Sequence, residues 1–407
     1  MFQEDKKYTK RRNLNKNIYK NENEENQYFY KDNKNKKKKH KTNNNINTIN
    51  KINNNNNNNF NYNIINIKNL TNQQIESDSS DSNDEIPKIT PLFYYEKYQF
   101  KIGDIENYQV LTKLGRGRYS EVFEGINIKT KEKVIIKILK ETKSLKYKRE
   151  IKILNILKEC PNCVKLIEVV QDPEHEIYCL IYECTNSYDL KRFKYSLTEN
   201  DIRIYVYKIL KCLEYCHSKN IMHRDIKPGN IVVNSLNKEL RVIDWGLAEF
   251  YIKNFEYNLR VATRYYKPPE LLLNYKKYDF RIDLWSLGCL FGELIFQIDY
   301  LFKGDDLKDQ VFKICNVLGA KVLDDYLEKY KKCFIDKQTH IRIRNLCKKK
   351  EWNSFINNNN KMLISDEAFD LLNKLLEFDI EKRITASEAL KHPYFNGING
   401  NNSNNNV

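Results

Sequence analysis

The sequence predicts an α+β fold in which a small antiparallel-sheet lobe sits on a larger helical lobe. Two observations predict it. Between 108 and 138 apolar and polar residues alternate between turn signals, which is the period of strands. Beyond Asn186 the apolar spacing becomes mostly helical. Strands first and helices afterwards segregates the two in space instead of interleaving them. The 407 residues suffice for one large two-lobed domain with tails, or for two ordinary domains.

In chain order, 108–138 reads as three strands. A helix follows at 146–157, with Ile151, Ile153, Leu154 and Leu157 on its apolar spacing, and then two strands at 164–170 and 178–182. Helices are expected at 201–218, 283–296, 307–318 and 366–376, and no internal repeat is present. The domain itself is expected over 108–395. Outside it, 1–90 is a tail rich in Asn and Lys, with runs at 36–39 and 53–59, and 396–407 is a second Asn-rich tail. Such segments bury too little apolar surface to offset chain entropy, so both are expected to be disordered.

The formal net charge is +16. Roughly ten of those charges lie within 1–75 and roughly eleven in the chain beyond the acidic stretch 76–85, which offsets part of the sum. A basic surface favours anionic partners but does not choose among nucleic acid, lipid headgroups and acidic peptides; no direct nucleic-acid role is inferred. The ten cysteines are scattered, with Cys160-Pro-Asn-Cys163 as the one C-x-x-C pair, and they read as reduced thiols of an intracellular protein. The first residues are too charged for a secretory signal, and no apolar run reaches membrane-spanning length. The expectation is therefore a soluble protein of nucleus and cytoplasm, with Lys36–Lys39 as a candidate nuclear signal.

Four motifs carry chemistry. Leu114, Gly115, Arg116, Gly117, Arg118, Tyr119, Ser120 and Val122 span a Gly-rich turn between the first two strands. Glycines there let backbone amides approach phosphates; a plain β-turn is the alternative reading. Lys137 ends an apolar strand, and a buried ammonium needs a partner, for which Glu150 on the next helix is the candidate. A lysine that merely snorkels to solvent is the alternative there. The third motif is Ile221-Met-His223-Arg224-Asp225-Ile-Lys227-Pro-Gly-Asn230. Phosphoryl transfer needs a carboxylate to orient a hydroxyl and accept its proton (Asp225), a cation near the transferred group (Lys227) and an oxygen ligand for Mg²⁺ (Asn230). The fourth is Asp244-Trp245-Gly246, whose carboxylate is a second metal ligand and whose indole N–H can fasten the segment that follows. Glu270 and Arg383 are expected to pair, and Asp283 to accept hydrogen bonds from the backbone of the third motif.

Together these motifs resemble the protein kinase superfamily over about 93–395, and within it the catalytic (alpha) subunit of casein kinase 2. The finer likeness rests on Gly-Arg-Gly-Arg-Tyr-Ser-Glu-Val-Phe at 115–123, Lys-Arg-Glu-Ile-Lys-Ile-Leu at 148–154 and Asp-Trp-Gly-Leu-Ala-Glu-Phe-Tyr at 244–251. The resemblance implies the bilobal protein kinase fold and transfer of the nucleotide γ-phosphate to Ser or Thr in acidic contexts. It implies ATP, with GTP as an alternative, together with Mg²⁺; Glu183 and Thr185 as nucleotide-binding hinge residues; and Arg260, Arg264 and Lys267 as substrate-recognition cations. It further implies constitutive activity, with 91–107 (Tyr95-Glu96 within it) as an N-terminal segment packed on the activation segment. Partners would be acidic protein substrates and a regulatory beta subunit bound through Val110, Phe123, Ile136 and Ile181, with no membrane. The chain departs from that family at Ser144-Leu145, where two lysines are missing, at the hinge Tyr182-Glu-Cys-Thr185, and in its long tail. A proline-directed kinase of the same broader group is the alternative, because Val261-Ala-Thr-Arg264-Tyr-Tyr resembles such enzymes too. A pseudokinase scaffold is the remote one.

Overall fold

The computed structural model describes residues 95–117, 119–140, 146–173, 177–185 and 187–398. The expected tail 1–90, the candidate signal at 36–39 and Arg118 lie outside these residues. So does all of the C-terminal tail except 396–398, where Ile398 packs against the core.

Five antiparallel strands form the small lobe: β1 (Tyr108–Arg116), β2 (Ser120–Asn127), β3 (Lys133–Leu139), β4 (Leu166–Asp172) and β5 (Ile177–Glu183), in the order β1-β2-β3-β5-β4. Between β3 and β4 runs helix α1 (Lys146–Ile156), whose buried face includes Glu150, Ile151, Ile153 and Leu154. Gly125 in β2 is a required glycine, since a Cβ there would stand 2.4 Å from Ile136 Cδ1 and 2.8 Å from the Gln109 carbonyl.

The second lobe opens with α2 (Glu199–Ser218), started by a capping box between Thr198 and Asp201 that satisfies two otherwise orphan donors. Short strands β6 (Tyr188–Asp189), β7 (Ile221–Met222), β8 (Ile231–Val233), β9 (Leu240–Val242) and β10 (Glu249–Phe250) pair as β6-β8-β9 and β10-β7. Then come α3 (Pro269–Leu272), α4 (Arg281–Phe296), α5 (Leu307–Leu318), α6 (Lys321–Lys329), α7 (Lys337–Leu346), α8 (Asp366–Leu375) and α9 (Ala386–Ala389). Every residue of α4 from Ile282 to Phe296 is buried, so this apolar helix is the axis of the lobe. The arrangement is the α+β, bilobal fold expected. No helix of the described residues is long and apolar enough to cross a membrane.

One expectation about the small lobe is corrected. Cross-strand pairing puts Phe123, Ile136 and Ile181 in one row on one face of the sheet. Ile136 is only 3% and Ile181 0% exposed, because with Val134, Val170 and Cys179 they form a separate apolar cluster packed against Ile105 and Tyr108. The N-terminal segment holds this packing, with Gly103 N donating to Val169 O at 2.8 Å and Tyr108 Oη to Glu168 at 2.9 Å. Two of the four residues expected to meet a partner are therefore core; Val110, 46% exposed, and the partly buried Phe123 remain accessible.

Candidate active site

The same register that buries Ile136 aims its neighbour the other way. Val122, Lys137 and Leu180 pair across β2, β3 and β5, and alternation sends them to the face opposite Ile136. There Lys137 Nζ donates to Glu150 Oε1 of α1 at 2.7 Å and to Asp244 Oδ1 at 3.1 Å, while Tyr182 Oη adds a 3.1 Å bond to Glu150. Burial alone would lower the Lys137 pKa, but the two carboxylates outweigh it and hold the ammonium charged. Lys137 in turn keeps the Asp244 carboxyl below its ordinary range. Asp244 has φ +60, a left-handed conformation uncommon outside glycine, and its side chain is 52% exposed toward the cleft.

The loop from His223 to Asn230 is shaped from beneath. Asp283, fully buried near the start of α4, accepts from the backbone N–H of His223 (2.8 Å) and of Arg224 (2.7 Å), and contacts His217 Nε2 at 3.0 Å. Arg224 takes φ +67 there. The loop then presents Asp225. Its Oδ2 accepts from Lys227 Nζ at 2.7 Å and Asn230 Nδ2 at 3.0 Å; its Oδ1 accepts from the backbone N–H of Thr263 at 2.9 Å and the Thr263 hydroxyl at 2.8 Å. Lys227 Nζ also donates to Thr263 Oγ1 at 2.9 Å. A carboxylate, a cation and a hydroxyl thus converge at one point, a geometry able to hold an incoming hydroxyl and take its proton. Asn230 Oδ1 and Asp244 Oδ2 have no partner among the described residues, which leaves two hard oxygen ligands for a divalent cation.

Trp245 is buried, with its indole N–H donating to Val242 O at 3.3 Å. Further on, Glu249 Oε2 pairs with Arg149 of α1 and with Arg224 (3.4 Å), and Arg224 also donates to Leu247 O (2.8 Å) and Tyr278 Oη (3.1 Å). The Tyr95 ring lies 5.8 Å from the Arg149 guanidinium and Lys148 Nζ donates to Glu96 O at 3.1 Å, so the N-terminal segment docks on α1 beside that cluster. Glu270 and Arg383, both fully buried, make the expected two-pronged pair at 2.7 and 3.0 Å.

Several expected site residues are turned elsewhere. Lys267, expected at the substrate, is buried and donates to the carbonyls of Leu259 (3.3 Å) and Val261; burial pushes its pKa down to about 8. Arg264 is exposed, but its guanidinium holds the carbonyls of Gly304 (3.2 Å) and Asp305. Both clamp the protein's own chain, where carbonyls in these loops would otherwise lack donors. Arg260 alone of the three is exposed with no side-chain partner among the described residues. At the hinge, the Glu183 carboxylate faces Arg241 (2.9 Å) and the Lys165 N–H (3.0 Å), which pins the lobes' junction and leaves only its backbone for a nucleotide. Thr185 offers a carbonyl already taken by the Ser187 hydroxyl at 3.1 Å. In the Gly-rich turn, Gly115 pairs with Val122 and Arg116 with Glu121 (3.1 Å), Gly117 N donates to the carbonyl of the buried Ser120 (2.8 Å), and Leu114 and Tyr119 are 54% and 55% exposed.

Thr263, Glu249 and Arg149 were not singled out as functional from the sequence. The string 244–251 held Glu249, but nothing in a string reveals that its carboxylate meets two arginines from elsewhere in the chain.

Beside Lys227 and Thr263 a cavity is lined by Lys194, Tyr265 and Tyr266, with Glu293 at its base. Burial raises the Glu293 pKa to about 8, with the Tyr266 hydroxyl 3.1 Å away only partly opposing this. Its folded pKa lies above its unfolded value, so the advantage of the protonated fold is complete below about pH 4.5 and is lost as pH rises through about 8. Glu293→Gln, which stays neutral, should therefore gain stability relative to wild type progressively across that window. Urea unfolding at pH 5, 7 and 9 measures it; a difference independent of pH would refute the assignment.

The family model for the protein kinase domain matches residues 108–395, and the chain belongs to that family. It carries the ATP-dependent phosphotransferase domain of a protein kinase.

Proposed function

We propose that the chain phosphorylates Ser or Thr in acidic contexts, with Asp225 as the base and Lys227 beside the transferred phosphoryl group. The carrying observation is the cluster in which Asp225, Lys227 and the Thr263 hydroxyl lie within 2.9 Å of one another. Lys137, held by Glu150, would grip the nucleotide phosphates; Asp244 and Asn230 would hold Mg²⁺, which when bound offsets charge on the phosphate oxygens. Arg260 supports the acidic preference as a free cation near the activation segment, with Arg264 and Lys267 acting on the chain itself.

Activity without phosphorylation of the activation segment is part of the same reading. Arg149 and Arg224, cations that an added phosphate would pair with, already share Glu249.

One observation favours the proline-directed alternative. Ala262 has φ +61 and the Val261 carbonyl is occupied by Lys267. A substrate N–H arriving beside Thr263 then lacks that acceptor, and proline has no N–H to satisfy. A degenerate peptide library, phosphorylated by unphosphorylated recombinant protein, separates the readings. Ser-x-x-Glu peptides are expected to be selected, and Arg260→Glu to weaken that selection. Preference for Ser-Pro peptides would overturn the acidic reading, and silence of the unphosphorylated enzyme would overturn constitutive activity.

A further inference from the structure

The turn between α1 and β4 carries two cysteines, and a third faces it from α2. Cys160 Sγ lies 3.7 Å from Cys212 Sγ, and the backbone of Cys163 folds back on Cys160, N to O, at 3.4 Å. The three are almost wholly buried, at 5%, 2% and 0% exposure for Cys160, Cys163 and Cys212, with Cys160 the least so. We propose that Cys160 and Cys212 are a reversible disulfide site that staples the turn after α1 to α2.

The geometry asks little of the fold. A disulfide needs the sulfurs about 2.05 Å apart. The turn is already clasped to the second lobe: Asn162 O accepts from Val242 N at 2.7 Å, Val164 N donates to Val242 O at 3.1 Å, and Asn162 Nδ2 donates to Lys208 O at 3.2 Å. The staple therefore strengthens an existing junction without rearranging it. That junction joins α1, which carries Glu150, to the strand that ends just before Asp244, so it links the supports of both carboxylates that hold Lys137.

The thiols are also unequal. Hydrogen bonds from Cys163 and Cys212 hold the Cys160 thiol well below its ordinary pKa, with His217 adding to the effect, while Cys163 and Cys212 are pushed up and stay protonated. Cys160, whose thiol also faces the carbonyls of Cys212 at 3.6 Å and Pro161 at 3.7 Å, is then the attacking sulfur, losing its proton as it reacts. With hydrogen peroxide as oxidant, its sulfur attacks one peroxide oxygen, the O–O bond breaks, and the hydroxide that leaves takes up the proton Cys160 has lost, giving water and a Cys160 sulfenic acid. The Cys212 sulfur next attacks the Cys160 sulfur; the S–O bond breaks, and the departing hydroxide leaves as a second water with the Cys212 proton. Two thiols lose two hydrogens and one peroxide becomes two waters. A dithiol reductant reverses the change.

The test uses the full chain, reduced and then exposed to a few equivalents of hydrogen peroxide, with peptide mapping by mass spectrometry and thermal unfolding. The expected result is a Cys160–Cys212 linked peptide pair, removed by dithiothreitol, with a melting temperature raised by about 5 °C or more. Cys212→Ala should give neither the linked pair nor the rise; Cys160→Ser serves the same purpose if that variant fails to fold. The proposal is overturned if all three thiols remain free, if the bond maps to Cys160–Cys163, or if peroxide raises the melting temperature of the variant as much as that of wild type.

Discussion

Asp225→Asn is expected to lower kcat by about 10²- to 10⁴-fold, the usual contribution of a positioned base. The substitution keeps the shape of the side chain but only one of its two acceptors, so either Lys227 or the Thr263 donors keep a carbonyl oxygen to bond, and the group proposed to accept the proton is gone. Under the proposed roles nucleotide affinity should change little, because Lys137 and Glu150, which would grip the phosphates, lie on the other lobe and do not touch Asp225. Single-turnover phosphorylation of a peptide, with nucleotide binding by calorimetry alongside, checks both halves. Turnover at the wild-type rate would remove Asp225 from the chemistry. A matching loss of nucleotide binding would mean that the loop had collapsed.

The largest stability effect is expected at Glu270 and Arg383. Both side chains are fully buried, so removing one leaves an uncompensated charge in the core, a loss of about 3–5 kcal/mol. Arg383→Met should show this in urea unfolding. The double variant Glu270→Leu/Arg383→Met should recover part of the loss and no more. Arg383 also donates to the carbonyls of Glu377 at 2.8 Å and Arg281 at 2.9 Å, and those acceptors stay orphaned in the double variant. Full recovery would show that the pair is isolated; no recovery would show that the carbonyls dominate.

The long elements were legible in the sequence because their apolar periods are long. The helix expected at 307–318 is α5 residue for residue, and the one expected at 283–296 lies inside α4. Helices α6 and α7 were not anticipated: α7 buries only Ile343, too little to mark a face, while α6 has a face of Val322, Leu323, Tyr326 and Leu327 but spans only nine residues. The apolar run 240–243 reads as a strand and is β9, but strands of two residues such as β6 and β7 are shorter than any period that could reveal them. Within the site, the Lys137–Glu150 pair, the Asp283 anchor and the Glu270–Arg383 pair were all readable, since a buried charge has few ways to be satisfied. The directions of Lys267 and Arg264 were not. A long cationic side chain can turn inward or outward with equal local propensity, and the choice depends on which distant carbonyls lack a donor.

Asp283 binds main chain, not side chains: its carboxylate takes the N–H groups of two successive residues, one of them in a left-handed conformation. The curve of the loop is therefore imposed by a helix 60 and 59 residues further along the chain from the two N–H groups it holds. Within the loop only His223 and Asn230 bond its own backbone, both at Asp225; the side chains of Asp225 and Lys227 do not. They are free to be selected for reactivity, while the instructions for shape are stored where substitution does not meet the substrate.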